Sequence, residues 1–186
     1  MLRLFVAVAL PEAVQERLER IAFGIPGANW VPGENMHITL RFIGEVSGHD
    51  AGDIDDALAG LRARAFDLAI EGVGHFGPMR QARAVWAGTA RNPALHHLRE
   101  KVESALVRAG QRPEGRKFAP HVTLARIRGE TGHHLANFLA ENSLFKIGPI
   151  RIDSFTLFRS HLKREGSVYE PLAEYPLADA TALATA

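Results

Sequence analysis

Apolar positions along this chain alternate between the spacing of a strand and that of a helix. Leu2 to Leu10 is a nearly unbroken aliphatic and aromatic run, which predicts a buried strand. Pro11 and Glu12 suit a first helical turn, and Val14, Leu18 and Ile21 then form an apolar stripe. Gly24 to Gly33 reads as loop with a short strand near Trp30, followed by a strand over Met36 to Gly44. His49 to Ala65 reads as a helix, with acids at its start and arginines at its end, as the helix dipole favours. Phe66 to Val73 and Ala84 to Thr89 read as strands around a turn at Gly77 and Pro78. Asn92 and Pro93 open a long helix whose apolar face runs from Leu95 through Leu98, Val102 and Leu106 to Ala109, and Gly110 ends it. His121 to Ile127 is a strand, Thr131 to Asn142 a helix, and Phe145 to Phe158 a strand broken near Pro149. Val168 to Leu172 adds an edge, and Leu177 to Ala186 reads as a frayed alanine-threonine tail.

Hairpin-like strand pairs mixed with helices give an α+β class. Strand, helix, loop and strand occur in that order over Leu2 to Gly44 and again over Ala84 to Ile127. The expectation is one domain, residues 1–186, made of two related lobes that face each other.

Each copy ends in the same short motif, His37-Ile38-Thr39-Leu40 and His121-Val122-Thr123-Leu124. Residues two apart on a strand share a face, so each histidine stands beside a threonine while the aliphatic neighbours point into a core. Opening a cyclic phosphodiester needs one group to deprotonate water and another to protonate the departing oxygen, on opposite sides of phosphorus. An imidazole titrates near pH 6.5 and can fill either role, and threonine hydroxyls can donate to the non-bridging oxygens.

The chain lacks cysteine, which removes disulfides, thiolate zinc sites and cysteine nucleophiles. A net charge of +1 gives no strong global field. Basic residues are nonetheless concentrated beside the second motif. Arg108 to Arg128 holds Arg108, Arg112, Arg116, Lys117, Arg126 and Arg128 against one acid, Glu114, which suits a nucleic-acid backbone. Phe42 and Phe118 are candidates to stack on a base, although core packing is the commoner use of such residues. No segment reaches the roughly 18 apolar residues of a membrane span. The apolar run after Arg3 is cut short by Pro11 and reads as strand rather than signal peptide, so a cytoplasmic protein is expected.

At these residues the sequence resembles the two-histidine (2H) phosphoesterase superfamily, and most of all the bacterial and archaeal RNA 2′,3′-cyclic phosphodiesterases, historically called 2′-5′ RNA ligases. The resemblance rests on Arg3 to Val8 (RLFVAV), His37 to Glu45 (HITLRFIGE) and Phe118 to Arg126 (FAPHVTLAR), and spans nearly the whole chain. It implies a bilobal α+β fold with two antiparallel sheets around a central cleft, and hydrolysis of the cyclic phosphate to a 2′-phosphomonoester. It also implies His37 as proton donor, His121 as proton acceptor and Arg126 as a phosphate contact. Strict alternation puts Arg126 on the face opposite His121, so that role requires a twist or bulge. RNA with 2′,3′-cyclic phosphate ends, such as tRNA fragments, or cyclic nucleotides would be the partners of a monomer that needs no metal or other cofactor. Two alternatives use the same motifs: 2′-5′ ligation or 2′-5′ phosphodiester cleavage, and non-catalytic binding of RNA ends.

Other motifs carry less. Gly72-x-Gly74-x-x-Gly77 matches a dinucleotide fingerprint in letters, but a turn and a strand follow it where a helix would have to receive the pyrophosphate. His96-His97 and His133-His134 are adjacent on helices and diverge, which makes poor chelates.

Overall fold

The computed structural model describes residues 1–163 and 166–179. Among these residues nine strands and four helices follow one another as β1 (Leu2–Ala9), α1 (Glu12–Glu19), β2 (Ala28–Trp30), β3 (His37–Val46), α2 (Gly48–Ala59), β4 (Phe66–Phe76), β5 (Ala84–Thr89), α3 (Pro93–Arg108), β6 (His121–Ile127), α4 (Gly132–Glu141), β7 (Lys146–Ile152), β8 (Ser154–Lys163) and β9 (Gly166–Pro176). These nine strands pair antiparallel, in the order β7-β4-β5-β6-β3-β1-β8-β9, with β2 laid against β6. Where two sheets were expected, the hydrogen-bonded path is continuous. Its link is narrow: β3 and β6 share a single register pair, Ile38 with Val122, and β2 takes over the rest of that edge of β6.

One face of this sheet carries the core. Leu4, Val6 and Val8 of β1, Ile38 and Leu40 of β3, and Val122 and Leu124 of β6 are buried together with Leu18, Ile54, Leu58, Leu98, Val102 and Leu135 from the four helices. The other face of the central strands is left to the site.

Several elements differ from their sequence expectation for identifiable reasons. The second helix stops at Ala59, with Gly60 as its cap, instead of running to Ala65. The freed segment meets the far end of the chain, where Arg64 bridges Ala178. The break expected at Pro149 falls at Asp153 instead: β7 is an outer strand of the sheet, where a missing amide donor is tolerated. The edge strand at Val168–Leu172 extends to Gly166–Pro176, because it pairs along the whole of β8. Leu177 is not frayed. It is buried, its amide donates to the Asp153 carbonyl at 2.7 Å, and Asp179 meets Arg151 at 3.1 Å; residues 180–186 of the expected tail lie outside the described residues. Tyr175 donates to Asp55 at 2.6 Å and so fastens β9 to α2. Among the described residues no helix is long and apolar enough to cross a membrane.

Candidate active site

Each histidine motif contains a β-bulge, and the bulges decide what faces the cleft. On β3, Ala7 pairs with Thr39 and Val6 with Arg41, so Leu40 is an extra residue with no opposite number. On β6, Trp86 pairs with Thr123 and Val85 with Ala125, so Leu124 is extra in the same place. One inserted residue resets the alternation of a strand. Leu40 and Arg41 are accordingly buried in succession, as are Leu124 and Ala125, and the next residues, Phe42 and Arg126, return to the face of the histidines. The conflict between alternation and a site role for Arg126 is thereby resolved. The two strands contribute unlike groups at matching positions: an aromatic ring from β3 and a guanidinium from β6.

The antiparallel register about Ile38 and Val122 brings the two motifs side by side. It sets His37 next to Thr123 and Thr39 next to His121, with the two imidazoles on a diagonal. All four side chains line one cleft together with Phe42 and Arg126.

The surroundings of the two rings fix their chemistry. The His37 Nδ1–H donates to the Asn35 carbonyl at 2.7 Å, and the His121 Nδ1–H donates to the Ala119 carbonyl, also at 2.7 Å. In both cases the acceptor is two residues upstream, and Nε2 is left as the nitrogen able to accept or release a proton. His37 is enclosed by Phe5 (centroids 4.9 Å apart) and the edge of Tyr169 (5.2 Å). Burial brings its pKa down to about 4 against the opposing pull of the Asn35 carbonyl, and the nearby His121 and Arg126 push the same way as burial. The His121 pKa is also lowered, chiefly by burial, with the Ala119 carbonyl opposing. Phe76 meets the His121 ring edge-on at 4.8 Å.

Phe118 does not join this group. It packs on His96 and under Arg99 of α3, away from the cleft. Phe42 is 39% exposed, with the Arg3 guanidinium over its ring at 5.1 Å. Arg41 turns below the sheet to Glu103 of α3 at 2.7 Å, and donates to the carbonyls of Phe42 and Arg112. It thus clamps the strand of the first motif to the loop that leads into the second.

Sequence reasoning missed the contribution of the β8–β9 hairpin, which adds Ser160, Ser167 and Tyr169 to the cleft. Asn35 ties this hairpin down, donating to the Ser167 carbonyl at 3.1 Å. The aromatic character of β8 was readable, but not its pairing with β1 far away in sequence, which carries these residues over His37. The rejected glycine motif also finds its meaning. A Cβ on Gly74 would lie 2.3 Å from the Trp86 ring, so this glycine makes room for an indole. Among the described residues one cluster has three potential metal ligands, His49, Asp50 and Asp53; it is exposed at the start of α2, where Asp50 closes the capping box with Ser47.

Most of the chain matches known proteins. The family profile described as LigT like Phosphoesterase matches residues 8–86 and again 89–169, with one histidine motif in each part. The chain is 39% identical over 153 residues to the Aeropyrum pernix protein named RNA 2′,3′-cyclic phosphodiesterase, covering 81% of this chain and 86% of that one. A protein of the same name from Methanothermobacter thermautotrophicus is 30% identical over 184 residues, covering 94% and 98%. Among solved structures, E. coli LigT complexed with 3′-AMP superposes with a TM-score of 0.75 at 27% identity, covering 95% of this chain and 98% of that one.

Proposed function

The chain belongs to the LigT-like phosphoesterase family, and from that premise we propose that it hydrolyses RNA 2′,3′-cyclic phosphates through His37 and His121. The observation that carries this reading is the pair of imidazoles set diagonally across one cleft, each oriented by a carbonyl at Nδ1. Water attacks phosphorus as His121 Nε2 takes its proton. The bond from phosphorus to the 3′ oxygen breaks, and His37 Nε2 supplies that oxygen with a proton, leaving a 2′-phosphomonoester and a 3′ hydroxyl. Thr39 and Thr123 donate to the non-bridging oxygens as charge builds there, and Arg126 balances that charge. Phe42 stacks on the base of the terminal nucleotide.

Burial keeps His37 neutral in the free protein, whereas a proton donor must begin charged. The anionic phosphate reconciles the two. Its charge beside the ring favours the imidazolium, so His37 takes up its proton as substrate binds. The two histidines handle both protons of the reaction, and no step calls for a metal ion.

The decisive experiment incubates the purified protein with an RNA ending in a 2′,3′-cyclic phosphate, in excess EDTA, and identifies the product. A 2′-phosphomonoester is expected. A 3′-phosphomonoester, or activity that dies on chelation and returns with Mg²⁺ or Mn²⁺, would contradict the mechanism.

A further inference from the structure

We propose that the sheet beyond His121 holds a second base-stacking subsite, with Phe76 as its platform, which receives the penultimate nucleotide of an RNA chain. The inference rests on the hydrolytic reading above and extends it from a cyclic nucleotide to an oligonucleotide.

One rung of the sheet carries the geometry. Asn29 of β2 pairs with Arg126 of β6, Arg126 pairs with Ala84 of β5, and Ala84 pairs with Phe76 of β4. Directly paired residues share a face, and Arg126 lines the cleft, so this rung leads out of the site. Phe76 is 36% exposed and Arg126 is exposed, with only a methyl group between them. Two strand spacings span roughly 10 Å, a width that accepts a nucleobase between ring and guanidinium. The adjoining rung pairs Gly74 with Trp86, whose indole lies across the glycine; its centroid is 5.7 Å from that of Phe76. The aromatic surface is therefore continuous, and it ends against the His121 ring.

Substrate chemistry and charge select the occupant. A cyclic phosphate sits at the 3′ end of a chain, so the terminal nucleotide has one neighbour, on its 5′ side. The groove beyond Phe42 and the surface beyond Phe76 are two routes by which that neighbour can leave the cleft. The groove beyond Phe42 is balanced, with Arg41, Arg112 and Arg116 against Glu45, Asp50 and Glu114, and Arg41 and Arg116 are already in ion pairs. The two segments that flank Phe76, residues 76–84 and 126–130, hold Arg80, Arg83, Arg126 and Arg128 against Glu130 alone. A bond from the Thr131 hydroxyl to the Met79 carbonyl, at 3.1 Å, holds these segments together. A phosphodiester backbone is drawn to that side.

Steady-state kinetics on a dinucleotide ending in a 2′,3′-cyclic phosphate and on the 2′,3′-cyclic mononucleotide test the subsite. The unaltered protein is expected to favour the dinucleotide in kcat/KM. Phe76→Ala should reduce that preference by about ten-fold or more, the order expected for a lost base-aromatic stack, mainly through KM, and Phe76→Trp should keep it. An unchanged preference in Phe76→Ala, or none in the unaltered protein, overturns the subsite. Equal losses on both substrates also overturn it, because Phe76 would then serve only to position His121. Turnover of neither substrate by the unaltered protein overturns the hydrolytic reading and the subsite with it.

Discussion

At neutral pH both imidazoles of the free site are uncharged, because burial favours the neutral form of each. In the proposed mechanism the acid partner must be charged, and that form is lost as pH rises through its pKa. The base must be neutral, and that form is lost as pH falls through its own pKa. The profile of kcat/KM, which reports the free enzyme, is therefore expected to be a bell with both limbs below pH 6.5, belonging to the pair rather than to either ring. In the proposed substrate complex the phosphate charge favours imidazolium, so the alkaline limb of kcat should lie higher. An alkaline limb of kcat/KM above pH 7.5 would contradict the burial of the pair. His37→Ala and His121→Ala should each lower turnover by about 10²–10⁴-fold, and the double variant by less than the product, as groups acting as a unit do. Stability is affected in the same region of pH. The folded-state pKa of His37 is lowered, so the unfolded chain binds the extra proton between about pH 4 and 6.5. The stability contributed by neutral His37 is complete above that window and lost on acidification through it. Urea midpoints at pH 7 and pH 4.5 should therefore differ more in the natural protein than in His37→Asn.

Among the elements, the bulged strands and the glycine-bearing β4 have the largest consequences for the site. Gly74 and Gly88 flank the Trp86 ring, and the ring in turn stands beside His121. Gly74→Ala places a methyl inside the space the indole fills, so Trp86 must move. Overpacking of this kind costs about 1–3 kcal/mol, and the displaced ring presses on His121. The expected outcome is a lower urea midpoint together with a fall in kcat, read from unfolding curves and steady-state assays of one preparation. A drop in stability with kcat intact would separate Trp86 from the positioning of His121.

For the whole molecule, a net charge of +1 means that salt dependence must come from local patches rather than a global field. The basic stretch read from the sequence as one window is divided by the fold. Arg108 lies in a groove with the residues that follow α2, Arg112 and Arg116 border the balanced groove, and Arg126 lies on the Phe76 side, with Arg128 two residues beyond it in sequence. Binding of longer RNA should weaken with salt at a slope set mainly by the last group and its neighbours. Replacing Arg80, Arg83 and Arg128 together by Ala should flatten the plot of log affinity against log salt by roughly 0.7 for each phosphate that is no longer neutralised. The same change at Arg112, Arg116 and Lys117 should flatten it less. Titrations of a labelled oligonucleotide at several salt concentrations decide between them.

The sequence by itself determined what depends on neighbours along the chain. Alternation within β3 and β6 placed each histidine beside its threonine and its aliphatic partners in the core. The helices were legible from apolar stripes and end signals such as Asn92, whose side chain does accept from the Leu95 amide. Only the tertiary structure decided what depends on a partner strand. A bulge exists by reference to the strand opposite, so neither Leu40 nor Leu124 announces one in sequence, and the return of Phe42 and Arg126 to the cleft followed from both. The exclusion of Phe118 was decided by packing on α3, and the arrival of Tyr169 by the pairing of β8 with β1. The depressed titration of His37 likewise comes from aromatic neighbours distant in sequence. Periodicity records which face a residue takes; which elements meet that face is settled when the chain closes on itself.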